Sequence, residues 1–185
     1  NNPDVIVIVD EAYIDFGGET ALPLIDKYDN LVVVRTFSKS RSMAGLRIGY
    51  AISNPELIKA LNDVKYSYNS YTMNRPSLVL GVESIHDDAY FREKVGQIIA
   101  TRERFVKEIA ELGFTCLPSS ANFVFATHES IPAKEIFAAA KENNIYVRYF
   151  DKPRIDNYLR ISIGTDAEMD AFVAFLKGYV ETKQN

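Results

Sequence analysis

Leu31-Val32-Val33-Val34-Arg35-Thr36-Phe37-Ser38-Lys39-Ser40-Arg41-Ser42-Met43-Ala44-Gly45-Leu46-Arg47 is the stretch that decides how the rest of the chain is read. The apolar run from Leu31 to Val34 predicts a buried strand. Two hydroxyls, a lysine, a small flexible turn and an arginine eight residues past the lysine follow it. A lysine at the end of a buried strand is a poor structural choice, because burial penalises its charge. It is a good chemical choice, since a desolvated lysine can act as an amine nucleophile.

Upstream, Val5-Ile6-Val7-Ile8-Val9 is apolar at every position and runs into Asp10-Glu11-Ala12-Tyr13. Such a run is normally covered on both faces inside a parallel sheet. Few strands here can serve as its neighbours, so the chain is expected to be the C-terminal part of a longer protein. Gly17-Gly18 marks a turn, and residues 22–28 form a short helix or loop. About twenty residues separate the two apolar strands, enough for a crossover. Arg47 to Ile52 reads as a third strand. Polar groups therefore gather past the strand ends and in the joining turns, the edge where open α/β sheets bind ligands.

Downstream, Asn54-Pro55-Glu56 is a helix start, with a cap residue and then proline in the first turn. That helix is expected to reach about Lys65, followed by a loop over residues 66–76. Residues 77–112 have helical spacing, broken near His86-Asp87-Asp88, and Gly113 is placed to cap the end. The remainder reads as a small α+β unit. Residues 121–126, 145–150 and 158–163 are strands, and residues 132–143 a helix. Thr165-Asp166-Ala167-Glu168 is a capping box that opens a last helix, with Met169, Phe172, Val173, Leu176 and Val180 on its buried side. The expected domains are residues 1–90 and 91–185.

Composition narrows the function classes. The 185 residues are 47% hydrophobic and 25% charged, an ordinary globular balance. A net charge of -4 argues against non-specific nucleic-acid binding. The single cysteine, Cys116, rules out an internal disulfide and is read as a small buried hydrophobe. No 18-residue apolar run offers a membrane span and no signal peptide is visible, so a cytoplasmic location without membrane partners is expected. His86 and His128 lack partners at metal-ligand spacing, so both are read as surface or loop residues and no metal site is expected.

The chemistry rests on a few groups. Asp10, at the end of an apolar strand, would need a cationic partner if buried; the alternatives are capping of the next turn or simple exposure to solvent. Four apolar residues followed by Asp-Glu also fit a Walker B strand of a nucleotide hydrolase, but no glycine-rich phosphate loop accompanies it. Around Lys39, Thr36 and Ser38 supply hydroxyls and Arg47 a fork of donors, together a plausible phosphate cup. A lysine, an anion cup and a carboxylate are what a phosphorylated pyridine aldehyde requires: an imine partner, a phosphate site and a counter-ion for the ring nitrogen.

Asp10-Glu11-Ala12-Tyr13, Thr36-Phe37-Ser38-Lys39, Gly45-Leu46-Arg47-Ile48-Gly49-Tyr50 and Tyr158-Leu159-Arg160-Ile161-Ser162-Ile163-Gly164-Thr165 together resemble the fold-type I pyridoxal-phosphate aminotransferases, most closely the histidinol-phosphate aminotransferase family. The resemblance covers the whole chain but only the C-terminal half of a family member. It implies an α/β fold: part of the large cofactor domain, with a mostly parallel sheet and helices, plus a small α+β C-terminal domain. It implies pyridoxal 5'-phosphate bound to Lys39, which later shuttles a proton. Asp10 would pair with the ring nitrogen and Tyr13 with the ring hydroxyl. Ser38, Arg47 and more weakly Thr36 would hold the cofactor phosphate. Arg160 and Arg148 would bind the anionic end of the substrate.

The activity so implied is ping-pong transfer of an amino group between glutamate/2-oxoglutarate and L-histidinol phosphate/imidazole acetol phosphate, in histidine biosynthesis. A homodimer would carry it, with residues 68–75 facing the partner subunit. A threonine-phosphate decarboxylase or an aromatic aminotransferase is the nearer alternative, and a Walker-type ATPase fragment the more distant one. The family's ring-stacking aromatic and N-terminal phosphate loop have no counterpart in this sequence, so the chain by itself is expected to be inactive.

Overall fold

The computed structural model describes residues 2–184. The chain divides into two compact units, Asn1–Glu93 and Lys94–Asn185.

The first unit is built on a three-stranded sheet of order β1-β2-β3, with β1 at Val7–Asp10, β2 at Leu31–Thr36 and β3 at Gly49–Ile52. β1 and β2 are parallel, with Val7 opposite Leu31 and Asp10 opposite Val34. β3 returns antiparallel, so Gly49 at its start lies opposite Thr36 at the end of β2. The end of β1, the end of β2 and the start of β3 therefore share one edge. Two short 3₁₀ turns, Ile14–Phe16 and Leu22–Leu24, fill the crossover from β1 to β2.

β2 has neighbours on both sides, and its Leu31, Val32 and Val33 are buried. β1 differs from expectation. As the outer strand it leaves Val7 and Ile8 45% and 64% exposed, and Val5 and Ile6, which precede it, are exposed as well. An all-apolar strand is covered only where chain exists to lie on both its faces, and the described residues supply none there.

α1, Pro55–Tyr68, and α2, Arg75–His86, complete this unit. Each opens on an asparagine whose side chain accepts an amide three residues on: Asn54 from Leu57 at 3.0 Å and Asn74 from Ser77 at 2.9 Å. α1 runs three residues past the expected Lys65. Gly81 faces Ile48 so closely that a Cβ there would lie 2.9 Å from the Ile48 Cδ1. α3, Asp88–Ala110, begins in this unit and continues in the second.

The second unit is a four-stranded antiparallel sheet of order β4-β5-β7-β6. Its strands are β4 Phe114–Cys116, β5 Phe123–His128, β6 Arg148–Tyr149 and β7 Leu159–Ser162, with helices α4 Ala133–Glu142 and α5 Asp166–Gln184. β4 was not foreseen: three residues carry too little periodicity to be read as a strand. Phe105, Ile109, Val124, Ile136, Leu159, Ile161 and Leu176 form the centre of a continuous core.

The capping box of α5 forms as the sequence indicated. Glu168 Oε2 accepts the Thr165 amide at 2.7 Å, and the Glu168 amide donates to Thr165 Oγ1 at 3.3 Å. Gly113 ends α3 at φ 85°, a left-handed position that favours glycine. His128 is buried, not at the surface as expected. Its Nδ1 accepts the Ser130 and Ile131 amides at 3.1 Å each, so Nε2–H donates to the Leu112 carbonyl at 2.9 Å.

Candidate active site

The shared edge of the first sheet holds the groups singled out in the sequence. β2 ends at Thr36, whose Oγ1 accepts the Ser38 amide at 3.0 Å and donates to the Ile48 carbonyl at 3.1 Å, with the Ser38 hydroxyl 2.9 Å away. The Phe37 amide donates to the Ile48 carbonyl at 3.1 Å, and the Met43 amide to the Phe37 carbonyl at 3.0 Å. These bonds close residues 38–47 into a tight loop. Ser42 and Arg47 both adopt φ 56° in it, a left-handed conformation uncommon for non-glycine residues.

Lys39 leaves this loop with its Nζ 5.5 Å from the centre of the Tyr13 ring. The side chain is exposed, because it projects off the sheet edge and the described residues do not wall it in. The burial expected of it is therefore not supplied by this chain. No carboxylate pairs with Lys39 among the described residues.

Asp10 is also exposed. Its Oδ1 accepts the Ala12 amide at 3.0 Å, an Asx turn, and no cation pairs with it among the described residues. Of the readings left open for Asp10, capping of the next turn and exposure to solvent are the ones seen in this chain: at the sheet rim it incurs little desolvation. Tyr13 is half-buried at the start of the first 3₁₀ turn. Arg47 is exposed, and its Nη1 donates to the Ala44 carbonyl at 2.9 Å.

Several supporting residues escaped the sequence reading. Ser40 is buried and its hydroxyl donates to Asp15 Oδ2, on the turn that follows Tyr13. Arg41 lies 4.1 Å from the Phe91 ring centre and donates to the Ser84 carbonyl. Ser77, fully buried on α2, donates to the Leu46 carbonyl at 2.8 Å, just before Arg47. Together they pin the lysine loop on three sides. The only hint in the sequence was polar residues beside an unusual lysine, and it did not identify their partners.

Glu11 was legible only as half of an Asp-Glu pair. It is buried and accepts from Arg35, Thr20 and the Ala21 amide. Burial alone would raise its pKa; the Ala21 amide, Arg35 and Thr20 outweigh that and hold it below the ordinary glutamate range. Both its oxygens are engaged, which leaves none to activate a water as a Walker B glutamate must.

In the second unit, Arg148 and Arg160 are direct cross-strand partners on β6 and β7. Like charges placed opposite each other are unfavourable unless an anion answers them. Arg160 lies 5.1 Å from the Phe123 ring centre, and its buried Nε has no hydrogen-bond partner among the described residues. Arg148 is exposed, 5.4 Å from the Phe150 ring centre. Among the described residues no cluster of three or more His, Cys, Asp or Glu side chains could hold a metal.

The family model for aminotransferase class I and II matches residues 1–176. The chain belongs to the class I and II aminotransferase family. Among curated members, the histidinol-phosphate aminotransferase of Brachyspira hyodysenteriae is 52% identical over 178 residues, 96% of this chain and 50% of the relative. That of Lactococcus lactis subsp. lactis is 50% identical over 183 residues, covering 99% and 51%.

Among solved aminotransferases, the histidinol-phosphate aminotransferase of Clostridium acetobutylicum has a TM-score of 0.86 at 27% identity, covering 96% of this chain and 55% of that one. The Sinorhizobium meliloti enzyme, solved in complex with pyridoxal-5'-phosphate, has a TM-score of 0.81 at 28% identity, covering 96% and 49%. The chain thus spans about half the length of the aminotransferases it matches.

Proposed function

We propose that this chain carries the lysine-bearing part of a pyridoxal-phosphate-dependent aminotransferase. The amino group would pass between glutamate/2-oxoglutarate and L-histidinol phosphate/imidazole acetol phosphate, in histidine biosynthesis. The observation that carries the reading is Lys39, its ammonium beside the Tyr13 ring and unclaimed by any carboxylate among the described residues, at the sheet edge that also holds Asp10. The names of the relatives, near 50% identity, support the substrate class.

The residues present fit the cofactor. Asp10 has no cation partner among the described residues and is suited to a protonated ring nitrogen, and the Thr36 and Ser38 hydroxyls lie side by side as a phosphate site would need. Pyridoxal phosphate, when bound, supplies an electron sink for the substrate's α-carbon. Lys39 Nζ would hold the cofactor and move the proton at that α-carbon. Asp10 would keep the ring nitrogen protonated, and Tyr13 would orient the ring through its hydroxyl. Ser38, Arg47 and Thr36 would hold the phosphate. Arg148 and Arg160 take the anionic end of the substrate, which would answer their mutual repulsion.

In this reading residues 1–90 belong to the large cofactor domain and residues 91–185 to the small one. The whole enzyme works in the cytoplasm as a homodimer on small molecules, without nucleic-acid or membrane partners. No helix among the described residues is long and apolar enough to cross a membrane. Tyr68 and Tyr71, each 92% exposed, support a subunit contact near residues 68–75. A second reading, decarboxylation of a phosphorylated amino acid, draws on likeness to a decarboxylase from Sulfurospirillum multivorans at 28% identity and a TM-score of 0.78.

The test is to add pyridoxal phosphate, reduce with borohydride and map the labelled peptide. The label is expected on Lys39, absent in Lys39→Ala and kept in Lys65→Ala. Labelling spread evenly over the lysines would defeat the reading. The 185-residue chain alone is expected to show no amino-group exchange, because the edge is open around Lys39 and Asp10. In the whole enzyme, carbon dioxide release in place of amino transfer would favour the second reading.

A further inference from the structure

We propose that Glu11 and Arg35 form a positioning pair that sets the approach of Lys39 to Tyr13. Its consequence for cofactor attachment rests on the reading of Lys39 given above. Glu11 is 6% exposed, next to Asp10 and two residues before Tyr13. A buried carboxylate is costly unless its oxygens are fully paired.

Here the pairing is complete. Arg35 Nε and Nη2 lie 2.9 and 2.8 Å from Oε2, the Thr20 hydroxyl 2.9 Å from Oε2, and the Ala21 amide 2.6 Å from Oε1. Arg35 stands on β2, four residues before Lys39, with Tyr50 as its cross-strand partner on β3, and its Nη2 also donates to the Thr20 hydroxyl at 2.9 Å. The Glu11 amide extends the β1–β2 ladder by donating to the Val34 carbonyl at 2.9 Å. One ion pair therefore joins the segment that carries Asp10 and Tyr13 to the strand that delivers Lys39. A planar guanidinium fork fixes orientation as well as distance, which a lysine at the same place would not.

The geometry predicts a signal that needs no cofactor. With the chain labelled at lysine ε-carbons, the Lys39 methylene, one bond from the Nζ that lies 5.5 Å from the Tyr13 ring centre, is expected upfield of the other lysines and is assigned by its loss in Lys39→Arg. In Glu11→Gln, or in Arg35→Lys, that signal is expected to move to the position of the exposed lysines while the Val32 and Val33 methyl signals persist. The proposal is overturned if the wild-type chain has no such shift. It is also overturned if both variants keep the shift, or if they lose it only together with the Val32 and Val33 signals, which would make the pair a support for the sheet alone.

A second readout is borohydride-fixed pyridoxal phosphate. The preference for Lys39 over the other lysines is expected to fall about tenfold in Glu11→Gln, the scale of one lost charge-assisted hydrogen bond. An unchanged preference would overturn the link to cofactor attachment. If the wild-type chain shows no preference for Lys39, the cofactor reading fails, and the lysine spectrum still decides whether the pair positions Lys39.

Discussion

At the scale of single residues, charge burial separates the groups that hold the site from the groups that use it. Asp10, Lys39 and Arg47 are exposed and free to meet a ligand, whereas Glu11 and Ser40 are buried and committed to partners. Glu11 makes the difference testable through pH. Its folded pKa lies below the ordinary value, so its contribution to stability is present above the glutamate range and is lost as pH falls through it. The urea midpoint of the first unit, followed by the Val32 and Val33 methyl signals, is expected to drop from about pH 5 to about pH 3. Glu11→Gln should flatten that drop, and an equal slope in both proteins would show that other carboxylates dominate. Cys116 gives a second case. Burial pushes its thiol up to about 11, so very little thiolate exists near neutrality. Its alkylation by iodoacetamide at pH 8 is expected to be about a hundredfold slower than that of an exposed thiol, and to keep accelerating to about pH 11. A rate that levels off near pH 9 would contradict the burial.

At the scale of elements, the site depends on helices that touch none of its reacting groups. α2 holds the lysine loop through Ser77 on the Leu46 carbonyl and Ser84 under Arg41. Its start rests on Asn74, whose side chain accepts the Ser77 amide. Asn74→Ala is expected to cost about 1 kcal/mol, the usual worth of such a cap, read as a lower urea midpoint for the first unit. No change in midpoint would mean that packing alone fixes the helix start. The elements themselves were largely visible in the sequence. The apolar run of β2, the asparagine-proline start of α1 and the capping box of α5 are local signals, and each is realised with the bonds such signals promise. What escaped was non-local. Nothing local marks β4 as a strand, since it exists by pairing with β5. The bonds of His128 to the Ser130 and Ile131 amides are local, but what shows that it lies inside is not: the Leu112 carbonyl and the Phe114 ring, sixteen and fourteen residues away, close over it. The candidate site divides the same way: Asp10, Tyr13 and Lys39 stand in motifs, while Asp15, Ser84 and Ser77 became visible only through their partners.

At the scale of the whole molecule, the two units differ in how well each encloses its own apolar surface. The second buries Phe105, Leu159 and Leu176 to 1% exposure or less in one continuous core. The first has β1 as a free edge, with Ile8 64% exposed opposite Val32. The sequence showed that this strand is apolar throughout, but not that its cover would be absent, because cover belongs to the assembly and not to the strand. The matched relatives are about twice as long, so in them further chain exists that could lie against such an edge. In the 185-residue chain an exposed apolar edge strand is a template for pairing with another copy. Sedimentation velocity is therefore expected to show larger species that grow with concentration. Ile8→Lys should shift the distribution toward the monomer, because a charge on the edge cannot be buried in a pairing strand without a partner. The same substitution should leave thermal unfolding of the second unit unchanged, since β1 contributes nothing to that core. Self-association that persists undiminished in Ile8→Lys would move its source away from β1, and the exposed Val79 and Val82 on α2 would be the next surface to charge.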